Sequence, residues 1–141
     1  AYGLAGLRIG YGLGPAPLTT ALNRARQPFN CNLVAQTAAL AALDDEAFIR
    51  QYAALCDLNR REWSRFCEAN GLPYFPSAGN FMLVKVGDGM KCFDFLQRRG
   101  CIVRPMRAYG LPEYIRVSFG REDEIQRCQE LLKLYFTENM G

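Results

Sequence analysis

The longest regular pattern in the chain is helical. From about Glu46 to Asn70, apolar residues recur at spacings of three and four, which predicts an amphipathic helix. The acidic pair Asp44–Asp45 is a typical start signal, and Asn70 followed by Gly71 is a typical stop. At a rise of about 1.5 Å per residue, such a helix is about 37 Å long. This length favours a connection between two domains.

Three shorter elements are predicted before this helix. The residues of Leu7–Gly12 alternate between apolar and small or polar types, a period that predicts a β-strand. Pro17 opens a short helix that extends to about Arg26. The alanine-rich segment Leu33–Leu43 predicts a second helix that is suited to close packing.

The pattern changes after the long helix, where short strand-like and helix-like segments follow one another. Strands are expected at Phe81–Val86, Cys101–Val103 and Tyr114–Phe119, and helices at Met90–Arg99 and from Glu122 towards the end of the chain. Residues 72–141 are therefore expected to form a small α/β domain in which helices cover a three-stranded sheet.

Composition limits the function classes without choosing among them. The chain has 141 residues, of which 50% are hydrophobic, and this is sufficient for one core. Its 17 basic and 14 acidic residues give a net charge of +3 and are mixed along the chain, so no nucleic acid and no membrane is expected as a partner. No stretch approaches the roughly 20 apolar residues of a transmembrane helix.

Six cysteines raise the question of disulfides or metal binding. The sequence has no C-x-x-C pair and no histidine, which removes the usual zinc patterns, and no metal is expected. Cys56 and Cys67 are spaced to share one helix face with Trp63. We interpret the cysteines as buried thiols of a reduced, cytosolic protein, with a disulfide or ligand role as the alternative.

Arg8 is the first candidate for chemistry. It lies on the face of the predicted strand opposite to Leu7 and Ile9, and Gly6 and Gly10 flank it. Glycine allows close approach of a ligand, and a guanidinium binds phosphate through two parallel hydrogen bonds. The alternative is a surface arginine on an edge strand.

Three polar residues of the small domain are further candidates. Arg116 lies in mid-strand, with Ser118, on the face opposite to the apolar residues; such an arginine needs an anion or open solvent. Arg104 is held at a strand end by Pro105. Asn80 opens the first strand of the domain, where it either orients a substrate or caps the turn.

Several segments resemble one enzyme family, in the same order along nearly the entire chain. The run L-A-G-L-R-x-G-Y at Leu4–Tyr11 resembles the segment that follows the cofactor lysine in fold-type I, pyridoxal-phosphate-dependent aminotransferases. Further segments resemble the histidinol-phosphate aminotransferase branch of that family: Gln27–Asn30, Ala39–Asp45, Ile102–Pro105, Tyr109–Glu113 and Ile115–Gly120.

The resemblance implies a role for each candidate. A Ser-Lys pair, whose lysine forms the Schiff base with pyridoxal 5′-phosphate, is expected immediately before Ala1, so no catalytic residue is expected within the chain. Arg8 is expected to bind the cofactor phosphate. Arg116 is expected to bind the anionic group of the substrate, with Arg104 as a second contact to its phosphate. Asn80 is the remaining substrate-binding candidate.

The resemblance also implies an architecture and an assembly. Residues 1–45 are expected to be the C-terminal remnant of a large cofactor-binding domain, residues 46–71 an interdomain helix, and residues 72–141 a small C-terminal α/β domain. A cytoplasmic homodimer is expected for the full-length enzyme.

The expected reaction is transamination between histidinol phosphate, a phosphorylated amino alcohol, and 2-oxoglutarate, which yields glutamate in histidine biosynthesis. Without the lysine, the isolated chain is expected to be inactive. The alternatives within the family are a threonine-phosphate decarboxylase and an aminotransferase for aromatic or other amino acids. The alternative of another class is a non-catalytic binding or assembly module.

Overall fold

The computed structural model describes residues 1–139. The chain divides into two compact units, one from Ala1 to Ala53 and one that begins at Ala54. The first unit is helical, and the second combines helices with a sheet. None of the helices within residues 1–139 has both the length and the apolar composition needed to cross a membrane.

The first unit has helices but no apolar core of its own. It contains α1 (Ala16–Ala25), α2 (Leu33–Leu43) and the start of α3 (Glu46–Ala69). Asn32 caps α2, since its side-chain oxygen accepts a hydrogen bond from the backbone N–H of Ala35 at 2.8 Å. Ala35 is the one buried residue among residues 1–53. The two short helices predicted from the sequence are confirmed.

The strand predicted over Leu7–Gly12 is wrong. The structure has a single 3-10 turn at Ala5–Leu7, followed by Arg8 in the left-handed backbone region at φ 55°. Alternation defines the faces of a strand, but a strand is stable only when a neighbour satisfies its backbone N–H and C=O groups. Residues 1–53 contain no strand that could pair with this segment, so it forms local turn hydrogen bonds instead.

Helix α3 begins and ends where the sequence predicts. The Asp45 carboxylate accepts a hydrogen bond from the backbone N–H of Phe48 at 3.0 Å, which caps the first turn. At the other end, Gly71 adopts φ 63°, and the N–H of Leu72 donates to the carbonyl of Cys67 at 2.8 Å. This glycine-dependent closure is a common helix ending. The role of α3 as an interdomain link stays a prediction.

The second unit is built on a four-stranded antiparallel sheet in the order β1-β2-β4-β3. Its strands are β1 (Tyr74–Phe75), β2 (Phe81–Lys85), β3 (Arg104–Pro105) and β4 (Tyr114–Ser118), and its further helices are α4 (Gly89–Gln97) and α5 (Glu122–Asn139). The α/β class is confirmed.

The predicted three-stranded sheet needs two corrections. The short strand β1 adds a fourth member, because two residues are too few to show alternation in the sequence. The strand predicted at Cys101–Val103 begins only at Arg104, because the N–H of Cys101 donates to the carbonyl of Leu96 at 3.0 Å and closes the end of α4. Pro105 has no N–H to donate, which suits the edge position of β3.

The apolar core lies between one face of this sheet and the helices. The buried face of the sheet and the helices contribute Met82, Val84, Ile115 and Val117, Trp63 and Cys67 of α3, Cys92 and Leu96 of α4, and Ile125, Cys128, Leu131 and Leu132 of α5. Trp63 has a structural role, because its side chain is 1% exposed within this core.

We expect Gly89→Ala to lower the free energy of unfolding of the second unit by about 1–3 kcal/mol. A Cβ at this position would lie 2.5 Å from the carbonyl oxygen of Tyr114 and 2.9 Å from that of Pro112. Both oxygens belong to the backbone, which cannot move aside as a flexible side chain can. The fluorescence of Trp63, the single tryptophan, measures the transition in a urea titration.

The matched control is Gly79→Ala, whose Cβ would meet the ring of Phe81 at 3.5 Å, an ordinary contact. We expect the control to change the free energy of unfolding by no more than about 0.5 kcal/mol. Equal losses of unfolding free energy in Gly89→Ala and Gly79→Ala would contradict the close backbone contact at Gly89.

Candidate functional site

The structure brings two of the predicted site residues together. Arg104 of β3 and Arg116 of β4 are directly opposite each other in the antiparallel register. Side chains at such positions lie on the same face, with Cβ atoms about 5 Å apart. Like charges placed directly opposite destabilise a sheet, and within residues 1–139 no carboxylate forms an ion pair with either guanidinium. The pair therefore forms a cationic site that suits an anion.

Arg116 is held in mid-strand by the residues on either side of it. Ile115 and Val117 point into the core, so Arg116 faces the other side of the sheet, where it is half-buried. Its guanidinium carbon lies 5.2 Å from the centroid of the Phe81 ring. The Nε atom is buried and has no hydrogen-bond partner in the described part of the chain. An unsatisfied buried donor is costly, and a bound anion would satisfy it.

Arg104 is more exposed and rests on a different aromatic ring. Its guanidinium carbon lies 5.4 Å from the centroid of the Tyr109 ring, which belongs to the 3-10 turn Arg107–Tyr109 that follows β3. A cation over an aromatic face is stabilised electrostatically. The Tyr109 ring therefore supports the Arg104 guanidinium.

The contact of Phe81 with Arg116 was not found from the sequence. Phe81 follows Asn80 and opposes Ser118 across the β2–β4 pair, two residues from Arg116. In the sequence, the alternation of β2 places Phe81 on the face away from the core, as the alternation of β4 does for Arg116 and Ser118. This was the only signal for the contact. That signal is readable once the pairing of the two strands is known.

Asn80 lies at the end of the sheet where β2 begins. Its backbone carbonyl accepts a hydrogen bond from the N–H of Phe119 at 2.8 Å, which extends the β2–β4 ladder by one step. Its side chain is exposed. Its substrate-binding role stays a prediction.

Arg8 belongs to the first unit, where it is exposed. One guanidinium nitrogen donates to the carbonyl of Ala5 at 3.0 Å, which leaves the other donors of the fork available. Within residues 1–139 it has no carboxylate partner. A Cβ added at Gly6 or Gly10 would meet nothing within 4 Å, so there is open space on both sides. The free donors and this space fit a phosphate group.

Burial sets the chemistry of two cysteines of the second unit. All six are free thiols. Desolvation by burial raises the pKa of Cys67 and of Cys92 to about 12, which keeps both protonated and unreactive at neutral pH. Among the residues that the structure describes, no cluster of three or more histidine, cysteine or acidic side chains is arranged to hold a metal ion.

Comparison with known proteins gives a consistent family assignment. A histidinol-phosphate aminotransferase of Akkermansia muciniphila is 50% identical over 137 residues, which cover 94% of this chain and 37% of that protein. The chain thus spans a little over a third of the length of this curated relative.

Two solved structures have the same fold. A histidinol-phosphate aminotransferase from Sinorhizobium meliloti, in complex with pyridoxal-5′-phosphate, matches with a TM-score of 0.72 at 26% identity, over 95% of this chain and 39% of that chain. One from Clostridium acetobutylicum matches with a TM-score of 0.86 at 22% identity, over 96% of this chain and 43% of that chain; at this identity the likeness concerns the fold alone.

The family model of aminotransferase class I and II matches residues 1–132. The resemblance found in the sequence is therefore confirmed over nearly the whole chain. The chain belongs to the aminotransferase class I and II family.

Proposed function

We propose that this chain is part of a pyridoxal-phosphate-dependent aminotransferase that transfers the amino group of histidinol phosphate to 2-oxoglutarate. The observation that carries the proposal is the Arg104–Arg116 pair, in which two guanidiniums share one sheet face with no carboxylate partner in the described residues. The names of the relatives support the choice of substrate.

The two arginines fit the anionic groups of the two substrates. The phosphate of histidinol phosphate carries nearly two negative charges at neutral pH, and two guanidiniums suit such a group better than one does. The carboxylate of 2-oxoglutarate carries one charge and needs only Arg116. In this proposal Arg116 binds both substrates in turn, and Arg104 adds a contact to the phosphate alone.

We assign pyridoxal 5′-phosphate as the cofactor, and Arg8 as the residue that neutralises its phosphate. The open donors of Arg8 support this assignment. When bound, the cofactor supplies the electron sink for the reaction. The role of this chain is to anchor the cofactor and to orient the substrate through its anionic group, while a lysine expected before Ala1 moves the proton.

The proposal extends to domain organisation and assembly. Residues 1–45 are assigned to a large cofactor-binding domain, residues 46–71 to a linking helix and residues 72–141 to a small domain that binds the substrate. The protein is proposed to be a homodimer, as the family resemblance implies. The six free thiols support a cytoplasmic location, because cysteines stay reduced in that compartment.

The deciding experiment uses the full-length protein. Histidinol phosphate and 2-oxoglutarate are added in the presence of the cofactor, and glutamate is measured. In parallel, borohydride reduction and peptide mapping locate the modified lysine, which is expected directly before Ala1. Carbon dioxide release from threonine phosphate without a need for 2-oxoglutarate would replace the proposal with a decarboxylase. A folded protein with no modified lysine would support the alternative of a non-catalytic binding or assembly module.

We expect Arg8→Gln to weaken retention of pyridoxal phosphate about 10-fold or more, because the phosphate loses a charge-assisted pair of hydrogen bonds. Equilibrium dialysis followed by the absorbance of the bound cofactor measures the change in dissociation constant. Arg24→Gln in the last turn of α1 is the matched control and is expected to bind normally. Normal retention in the Arg8 variant would remove the phosphate-anchoring role.

We expect Arg116→Gln to raise KM for both histidinol phosphate and 2-oxoglutarate by roughly 10- to 100-fold, which corresponds to the loss of a hydrogen-bonded ion pair. Arg104→Gln is expected to raise KM for histidinol phosphate only. Steady-state kinetics with each substrate varied in turn measures both effects.

The matched control is Arg98→Gln, which removes an exposed charge near the end of α4 and is expected to leave both KM values unchanged. Equal effects of Arg104→Gln on the two substrates would contradict the division of roles between the two arginines.

A further inference from the structure

The Phe81 ring lies beside the cationic site and points away from the apolar core. Its neighbours Met82 and Val84 are buried in the core, so Phe81 faces the open side of the sheet, where it is 37% exposed. There the ring contacts Arg116, whose guanidinium carbon lies 5.2 Å from the ring centroid. The ring therefore shapes the surroundings of Arg116 rather than the packing of the core.

Hydrogen bonds hold the backbone around Phe81 from two sides. The Ser77 hydroxyl accepts a hydrogen bond from the backbone N–H of Gly79 at 3.1 Å and donates one to the backbone carbonyl of Phe81. From β4, the N–H of Phe119 donates to the carbonyl of Asn80 at 2.8 Å. Because the backbone conformation limits the rotamers of a side chain, a ring on this fixed backbone is a rigid support.

Two electrostatic effects direct Arg116 towards this ring. Phe81 belongs to β2 and Arg104 to β3, which lie on opposite sides of β4 in the sheet. The guanidinium of Arg104 repels that of Arg116, whereas the face of an aromatic ring attracts a cation. The repulsion and the attraction act in the same direction. The Arg116 side chain is therefore oriented before an anion binds.

We propose that Phe81 is a positioning residue, whose ring holds the Arg116 guanidinium in the orientation that binds the anionic group of the substrate. The inference rests on the proposed function, in which Arg116 binds both substrates in turn. An arginine that is already ordered loses less conformational freedom on binding, so its affinity for an anion is higher. Because Phe81 acts on binding alone, it affects KM for both substrates and leaves kcat unchanged.

The first test is Phe81→Leu in the full-length protein with bound cofactor. The variant is expected to raise KM for histidinol phosphate and for 2-oxoglutarate by the same factor, about 3- to 10-fold, which corresponds to the loss of a cation–π contact. Phe81→Tyr keeps the ring face and is expected to keep both KM values at the wild-type level. The urea unfolding midpoint of each variant is expected to match that of the wild type, because the ring is outside the core.

The matched control is Phe75→Leu, which removes another exposed aromatic ring from the same face of the sheet. Phe75 pairs with Leu83, which in turn lies opposite Arg116, and its side chain is 45% exposed. Its ring contacts that of Tyr114, with centroids 5.1 Å apart. The control is expected to leave both KM values unchanged.

Two further measurements separate positioning through Arg116 from a general structural effect. In an Arg116→Gln background, Phe81→Leu is expected to cause no further change in KM, because the ring acts only through the guanidinium. Site-specific replacement of Phe81 by mono-, di- and trifluorinated phenylalanine is expected to raise KM stepwise. Fluorine withdraws negative charge from the ring face, to which the cation is attracted, and it changes the shape of the ring very little.

The binding of inorganic phosphate gives a readout that needs no turnover. The protein is titrated in a calorimeter with its cofactor bound, so that Arg8 is already occupied and phosphate is directed to the arginine pair. Phe81→Leu is expected to weaken phosphate binding about 3- to 10-fold, and to have no effect on it in the Arg116→Gln background.

Unchanged phosphate affinity in Phe81→Leu, or an equal loss with and without Arg116, would overturn the positioning role. If the wild-type protein still transaminates histidinol phosphate, the proposed function is unaffected by that result. A wild-type protein that does not transaminate would instead remove the proposed function, and the phosphate titration would still decide the role of Phe81.

Discussion

The register of β4 against its two neighbouring strands determines which side chains of the second unit are buried and which are open to a ligand. Ile115 and Val117 enter the core because they pair with Val84 and Met82 on the helix-covered face of the sheet. Arg116 must then lie on the opposite face. A shift of one residue would exchange the two sets, placing a guanidinium in the core. The burial of the apolar residues therefore fixes the position of the arginine.

The same register explains why two like charges occupy adjacent strands. Arg104 is brought opposite Arg116 by the pairing of Pro105 with Ile115. Pro105 and Ile115 lie on the core side of β3 and β4. In a structure selected for stability alone, an acidic or neutral residue would be favoured at one of the two positions. The aromatic rings of Phe81 and Tyr109 hold the guanidiniums without neutralising them, so both charges stay available for an anion.

The two units contrast in how far their apolar residues are buried. The second unit has a continuous core of sheet and helix residues. The first exposes large apolar side chains such as Leu13 and Phe29, and its helices are maintained by caps and local hydrogen bonds. Exposed apolar surface of this kind is typical of regions that pack against further protein.

Sequence alone determined the elements whose signals are local. The bounds of α2, the start and stop of α3 and the alternation of β2 and β4 depend on caps, glycine and periodicity within a few residues, and the structure confirms them. The alternation also placed Arg116 away from the core. The family resemblance, which was equally readable from the sequence, selected Arg8, Arg104 and Asn80.

Only the tertiary structure decided which segments meet. It showed that Leu7–Gly12 has no strand partner, that β1 completes the sheet and that Arg104 faces Arg116. Strand pairing and side-chain contacts join residues that are far apart in the chain, and no local pattern encodes them. Periodicity defines the faces of an element, whereas packing chooses the partner for each face.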